Sequence, residues 1–211
     1  MSTTDNVAVV SAQNPQVIVH FSGHTPPFNP VPTVERMLAY VPPKYLVGLS
    51  EVVLTNSSGL SRKIRRSVTK SSKRKFKIVE CRGLYRQAWQ GTPAWIQIFL
   101  DNTLKGWEKG WWLKLPLLRD ILLSDVLFHE VGHHIHFTAR PELREKEDVA
   151  DSWMRKLRRQ YLRRRYDWLI SLTPLLRPLG HWLADSGKAK TATGNLKSPA
   201  YGGRAFLVQS S

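Results

Sequence analysis

The chain has 211 residues and 24.2 kDa, enough for one domain with its own apolar core. Its lone cysteine, Cys81, excludes an intramolecular disulfide and any cysteine-rich zinc module. A formal net charge of +16 implies anionic company, whether nucleic acid, an anionic membrane face or an acidic partner, and is silent on fold.

Met1 to Asn14 is polar and lacks the basic-then-apolar pattern of a signal peptide, so residues 1–16 read as a flexible leader. Val17, Ile18 and Val19 form a short β-branched run closed by Gly23 and the Pro26–Pro27 pair. A short helix is predicted over Thr33–Tyr40, with Thr33 as N-cap and Pro42–Pro43 as its stop. Tyr45–Leu54 has the composition of a strand. The basic stretch from Arg62 to Lys77 reads as a solvated loop (about residues 60–77), tipped by a strand near Phe76–Val79. Two further strands are predicted at Gly83–Trp89 and Ala94–Asp101. In the second, Ile96, Ile98 and Leu100 alternate with Trp95, Gln97 and Phe99, as a two-sided strand requires. The Gly/Trp connection holding Trp107, Trp111 and Trp112 reads as a core-lining loop leading into the next helix, with an interfacial patch shared with Lys105, Lys109 and Lys114 as the alternative. Two long helices are then expected, Leu117 to about Phe137 and about Glu142 to Leu172. Residues 186–211 are rich in Gly, Ser, Lys, Thr and Ala and read as a disordered tail. No run reaches the roughly 20 apolar residues that span a bilayer. A cytoplasmic protein without a transmembrane segment is expected.

The first long helix contains His129-Glu130-Val131-Gly132-His133, the pattern HExxH. Residues four apart on a helix share a face, so His129 and His133 can reach one metal ion, one zinc per chain. Glu130 projects beside them, placed to take a proton from water as general base rather than to ligate. Leu118, Ile121, Leu122, Val126 and Phe128 bury the helix, where a histidine pair needs a polar justification. A third ligand is expected downstream. Glu147 is the first candidate, because Asp151 follows it one turn later and can accept a hydrogen bond from the other ring nitrogen of a ligand histidine. Ala150 between them allows the two helices to approach closely. His136, Glu145 and Asp148 are alternative ligands, His134 points away from the pair, and His20, His24 and His181 have no partner spacing. For stabilising an oxyanion, Tyr161, Tyr166, His181 and several arginines are candidates.

HExxH followed by a helix bearing Glu147-Asp148-Val149-Ala150-Asp151 resembles the gluzincin metallopeptidases, especially the HtpX-type and ImmA/IrrE-type groups. The resemblance spans about Ile121 to Leu157. It implies zinc on His129, His133 and Glu147, Glu130 as base, Asp151 supporting a ligand, and a zincin-like fold. It also implies that the strand Ala94–Asp101 is an edge strand that takes up an extended peptide. The chain departs from HtpX-type proteins in lacking transmembrane helices, and from the ImmA/IrrE pattern in carrying Asp151 where Asn is usual.

Together these readings give an α+β fold over residues 17–185, with a small, mostly antiparallel sheet packed on the HExxH helix and the Glu147 helix behind it. The expected function is zinc-dependent hydrolysis of peptide bonds in a protein or peptide substrate. The alternative is a basic, nucleic-acid-associated regulatory protein with a structural zinc or a latent peptidase site. Its anionic partner, nucleic acid or membrane surface, would meet Arg62–Lys77 and the basic run Arg155–Arg165, which otherwise form solvated faces.

Overall fold

A computed structural model of the chain describes residues 14–71, 74–107, 111–139 and 147–171. Most of the expected leader, the expected tail, Glu145, His181 and the expected start of the second long helix at Glu142 lie outside the described residues.

The fold is α+β. Its elements are β1 (Gln16–His20), α1 (Val31–Tyr40), β2 (Leu49–Thr55), α2 (Arg62–Arg66), β3 (Val68–Ser71), β4 (Arg74–Lys77), β5 (Gly83–Arg86), β6 (Ala94–Phe99), α3 (Leu100–Thr103), α4 (Pro116–Ala139) and α5 (Glu147–Ser171). The main sheet has four strands in the order β1-β2-β6-β5. β1 and β2 are parallel, as are β2 and β6, and only β5 runs antiparallel, to β6. The sheet is therefore mixed, not mostly antiparallel. The reason is connectivity: α1 separates β1 from β2, and a long excursion separates β2 from β6, so neither pair can be a hairpin.

Three local expectations shift with the structure. α1 starts at Val31, with Pro30 at the cap and Thr33 buried inside the first turn. A proline presets the first helical turn without needing its missing N–H, which displaces the Thr33 signal. β2 starts at Leu49 because the chain first passes a short 3-10 turn at Pro43–Tyr45 and then Gly48, whose φ of +84° breaks strand geometry. The basic stretch is no loop: α2 is followed by the antiparallel hairpin β3–β4. Ser61 caps α2 by accepting a hydrogen bond from the Ile64 N–H.

One face of the sheet carries the main core, in which Val52, Leu54, Ile96 and Ile98 meet Met37 and Leu38 of α1 and Val126, Leu127 and Phe128 of α4. α4 packs on β5 and β6 and, on its far side, against α5. Every residue of α4 from Leu123 to His136 is buried, so this helix is central rather than amphipathic. A smaller cluster on the other face joins Leu84 and Phe99 to Ile78 and Cys81. Trp107, Trp111 and Trp112 are 40%, 58% and 46% exposed, which corrects the core-lining reading. The connection buries Leu104 and Leu113 instead, and the Trp111 and Trp112 rings stack on each other at 4.2 Å.

Candidate metal centre

A buried helix with this many polar side chains must satisfy each of them. Ser124 Oγ donates to the Ile121 carbonyl at 3.1 Å. Asp125 is held by Arg82 at 3.4 Å and Arg158 at 3.1 Å. His134 points away from the His129–His133 pair and is a buried packing residue. Its Nε2 lies 3.1 Å from the Val47 carbonyl, which can only accept, so the proton sits on Nε2. Nδ1 then accepts from Tyr85 Oη at 3.1 Å. Burial lowers the pKa of His134, in keeping with this neutral tautomer.

β5 fits α4 by a coincidence of repeats. Gly83 and Tyr85, two strand residues apart (about 6.6 Å), meet Glu130 and His134, four helix residues apart (about 6 Å). At the Glu130 contact only glycine fits: a Cβ on Gly83 would lie 2.8 Å from Glu130 Cγ and 2.8 Å from Val126 Cγ1.

On the opposite side of α4, Gly132 permits the approach of α5. A Cβ there would lie 2.7 Å from the Ala150 carbonyl oxygen and 3.0 Å from its Cα. The small pair Gly132–Ala150 thus brings the first turn of α5 against the histidines. His129 Nε2 and His133 Nε2 are 3.0 Å apart. Glu147 Oε2 lies 3.3 Å from the first and 3.9 Å from the second. His129 Nδ1 donates to Asp151 Oδ1 at 2.8 Å, so its Nε2 lone pair is turned toward the other two atoms.

The structure therefore brings together His129, His133 and Glu147, whose ligating atoms all lie within 4.8 Å of one another. These three can hold a metal ion. Both histidines are 1% exposed, whereas Glu147 keeps 26% of its side chain accessible, so the cluster opens on the α5 side. Glu130 is 1% exposed. The alternative ligands fall elsewhere. His136 is not in the cluster but lines a separate cavity of about 360 Å³ with Trp153 and Lys156. Asp148, His20 and His24 are not in it either.

Sequence reasoning missed a second polar centre at the other end of the α4–α5 pair. Asp120 is 0% exposed and accepts from Tyr161 and Tyr166 hydroxyls, both at 2.8 Å, from Arg165 Nε at 2.8 Å and from Arg36 Nη2 at 3.2 Å. The available signal was an aspartate among the apolar residues Leu117, Leu118, Ile121, Leu122 and Leu123, where a buried carboxylate needs donors. This occupation removes Tyr161 and Tyr166 from the candidates for an oxyanion: Asp120 precedes His129 by nine residues, about 13 Å along the helix. The basic run of α5 is correspondingly divided. Arg158 and Arg165 turn toward the buried aspartates, while Arg155, Lys156, Arg159, Arg163 and Arg164 are exposed.

No protein-family model, curated protein or solved structure matches the chain. No helix among the described residues is long and apolar enough to cross a membrane.

Proposed function

We propose that the protein is a zinc-dependent metallopeptidase of gluzincin type, with His129, His133 and Glu147 as ligands and Glu130 as general base. The observation that carries this reading is the convergence of two imidazole nitrogens and one carboxylate oxygen beside a buried glutamate on the same helix. Two nitrogens and one oxygen form a donor set suited to zinc. Bound zinc would supply Lewis acidity, acidifying water and polarising a carbonyl.

The chain's own residues supply the rest. Asp151 fixes the His129 ring through Nδ1, which keeps Nε2 available as a ligand. Glu130 follows His129 directly and would take a proton at its carboxylate and return it to the leaving amine. Its side chain is buried beside Gly83, which limits the water around it.

Substrate would lie along β5. The strand expected to be the edge, β6, is paired on both sides, with β2 and β5. β5 is one of the two edges of the four-stranded sheet, the one next to β6, and its Gly83 touches Glu130. An extended peptide added to that edge would run past the general base, held by main-chain hydrogen bonds.

The test compares wild type, Glu130→Gln and Glu147→Ala, each checked for folding, for metal content and for cleavage of an unfolded protein substrate. About one zinc per chain in wild type and Glu130→Gln, reduced in Glu147→Ala, with cleavage by wild type alone, is the expected result. Failure of folded wild type to take up zinc, or equal cleavage by Glu130→Gln, would overturn the proposal.

A further inference from the structure

β5 carries a cation that has no counter-charge among the described residues. The chain has no acidic residue between Glu80 and Asp101, and its cations there are Arg82 and Arg86. Arg82 reaches Asp125 at 3.4 Å. Arg86 forms no ion pair among the described residues, and its buried Nε has no acceptor there. Its guanidinium lies over the Trp95 ring, 4.9 Å from the centroid. Stacking on an indole orients the guanidinium fork but supplies no oxygen to its N–H groups. Burial with no carboxylate beside it lowers the Arg86 pKa, as for any cation taken partly out of water unpaired.

The strand register shows where a partner can enter. Arg86 pairs with Trp95 and Trp95 with Glu51 of β2, so the three form a row across the sheet. Glu51 stands two strands away, roughly 10 Å, with the indole between. On the other side of Arg86 the row is open, because β5 is an edge. Tyr85 meets His134 of α4, so alternation puts Arg86 on the face of the sheet away from α4. The Phe99 N–H donates to the Arg82 carbonyl, which places Arg82 and Phe99 in a hydrogen-bonded pair. By alternation Leu84 and Arg86 also bond to β6, whereas Gly83 and Tyr85 turn their main-chain groups toward the edge. A strand added there continues the row. Its residue opposite Arg86 projects on the same face, with the two Cβ atoms about 5 Å apart. An arginine without an acceptor selects a carboxylate at that position.

We propose that Arg86 is a specificity residue that binds an Asp or Glu side chain of an extended peptide lying along β5. The inference rests on the metallopeptidase reading for the position of the cut. Gly83, which touches Glu130, is three residues from Arg86, about 10 Å along the strand. The acidic residue therefore lies about three positions from the residue facing Gly83, always on the same side of the cut.

Binding and cleavage are read separately, on variants first checked for folding by circular dichroism. Labelled neutral peptides with one central Asp, Ala or Lys are titrated by fluorescence anisotropy into Glu130→Gln, which needs no cleavage. The Asp peptide should bind about tenfold more tightly than the Ala peptide. Adding Arg86→Gln should level the two, and adding Arg86→Glu should reverse the order in favour of Lys. Lys105→Gln, at an exposed site past the other end of β6, should leave the preference unchanged. With wild type, mass spectrometry of peptides whose Asp is moved along the sequence should show the cut moving with it, about three residues away on one side. A preference that survives Arg86→Gln, or falls equally in Lys105→Gln, would mean diffuse attraction by the net charge and overturn the proposal. So would failure of every peptide to bind, or cleavage indifferent to the Asp, which leaves the peptidase reading standing. Acid-selective binding that depends on Arg86 without any cleavage would uphold the subsite and sink the peptidase reading instead.

Discussion

Gly83 in β5 stands so close to Glu130 in α4 that a single methyl group between them would displace the carboxylate. The position has an ordinary backbone, so the constraint is purely steric. Gly83→Ala is expected to destabilise the fold by roughly 1 to 3 kcal/mol, the range for an extra methyl in a packed core. Zinc uptake should persist, because no proposed ligand moves, whereas peptide cleavage should fall with the shift of Glu130. Urea unfolding, metal content and a cleavage assay on the same preparation check this.

Asp151 accepts a hydrogen bond from His129 Nδ1 at 2.8 Å. Asp151→Ala should weaken metal affinity by about tenfold to a hundredfold, the usual cost of losing a ligand's orienting partner. Asp151→Asn should fall between, since its carbonyl oxygen can still accept from Nδ1 but carries no charge. Competition with a chromogenic chelator measures both. Equal affinity in all three proteins would show that the bond does not hold the ligand.

Asp120 gathers four donors from α1 and α5 around a fully buried carboxylate. Asp120→Ala leaves two arginines and two hydroxyls without their acceptor. The expected cost is about 3 kcal/mol, the low end for breaking a buried pair because Arg36 and Arg165 remain about one-third exposed to water. Thermal unfolding reads it, and Asp125→Ala offers a parallel case with Arg82 and Arg158.

At alkaline pH two buried groups resist ionisation. Burial, helped by Glu130 and Glu80, pushes the Cys81 thiol up to about 12 from an ordinary 9.0. Burial and the neighbouring Asp120 push the Tyr161 phenol up to about 12 from 10.0, against the opposing pull of Arg36. Both folded values are raised, so the stability they contribute is complete below about pH 9 and is lost as the pH climbs toward 12. Each group can add at most about 1.4 kcal/mol per pH unit to that decline. Cys81→Ala should flatten the decline from about pH 9 upward and Tyr161→Phe from about pH 10 upward, as followed by unfolding free energy at pH 8 to 12.

The parts of the site that were legible in the sequence are those that one helix writes locally. His129, Glu130 and His133 lie within five residues, and helical periodicity alone puts the two histidines on one face. Glu147 and Asp151 obey the same rule on α5, and their approach to the histidines was readable because Ala150 is small. β1, β6 and α4 were likewise carried by β-branched runs, alternation and length.

What the sequence by itself determined is the set of groups able to meet a metal and the helices that carry them, because spacing along a helix is short-range geometry. The tertiary structure alone decided that β6 is inside the sheet and β5 at an edge, that α4 is buried from Leu123 to His136, that the tryptophans before it stay in water, and which arginines turn inward. Those outcomes depend on pairing between segments far apart in the chain: β5 returns beside β6, Arg36 arrives from α1, and Arg158 and Arg165 reach aspartates on α4. A local pattern such as a basic run or a Gly/Trp loop is compatible with either fate. Only the positions of its distant partners fix whether a charge is solvated or paired, since the energy of burying it depends on what stands opposite.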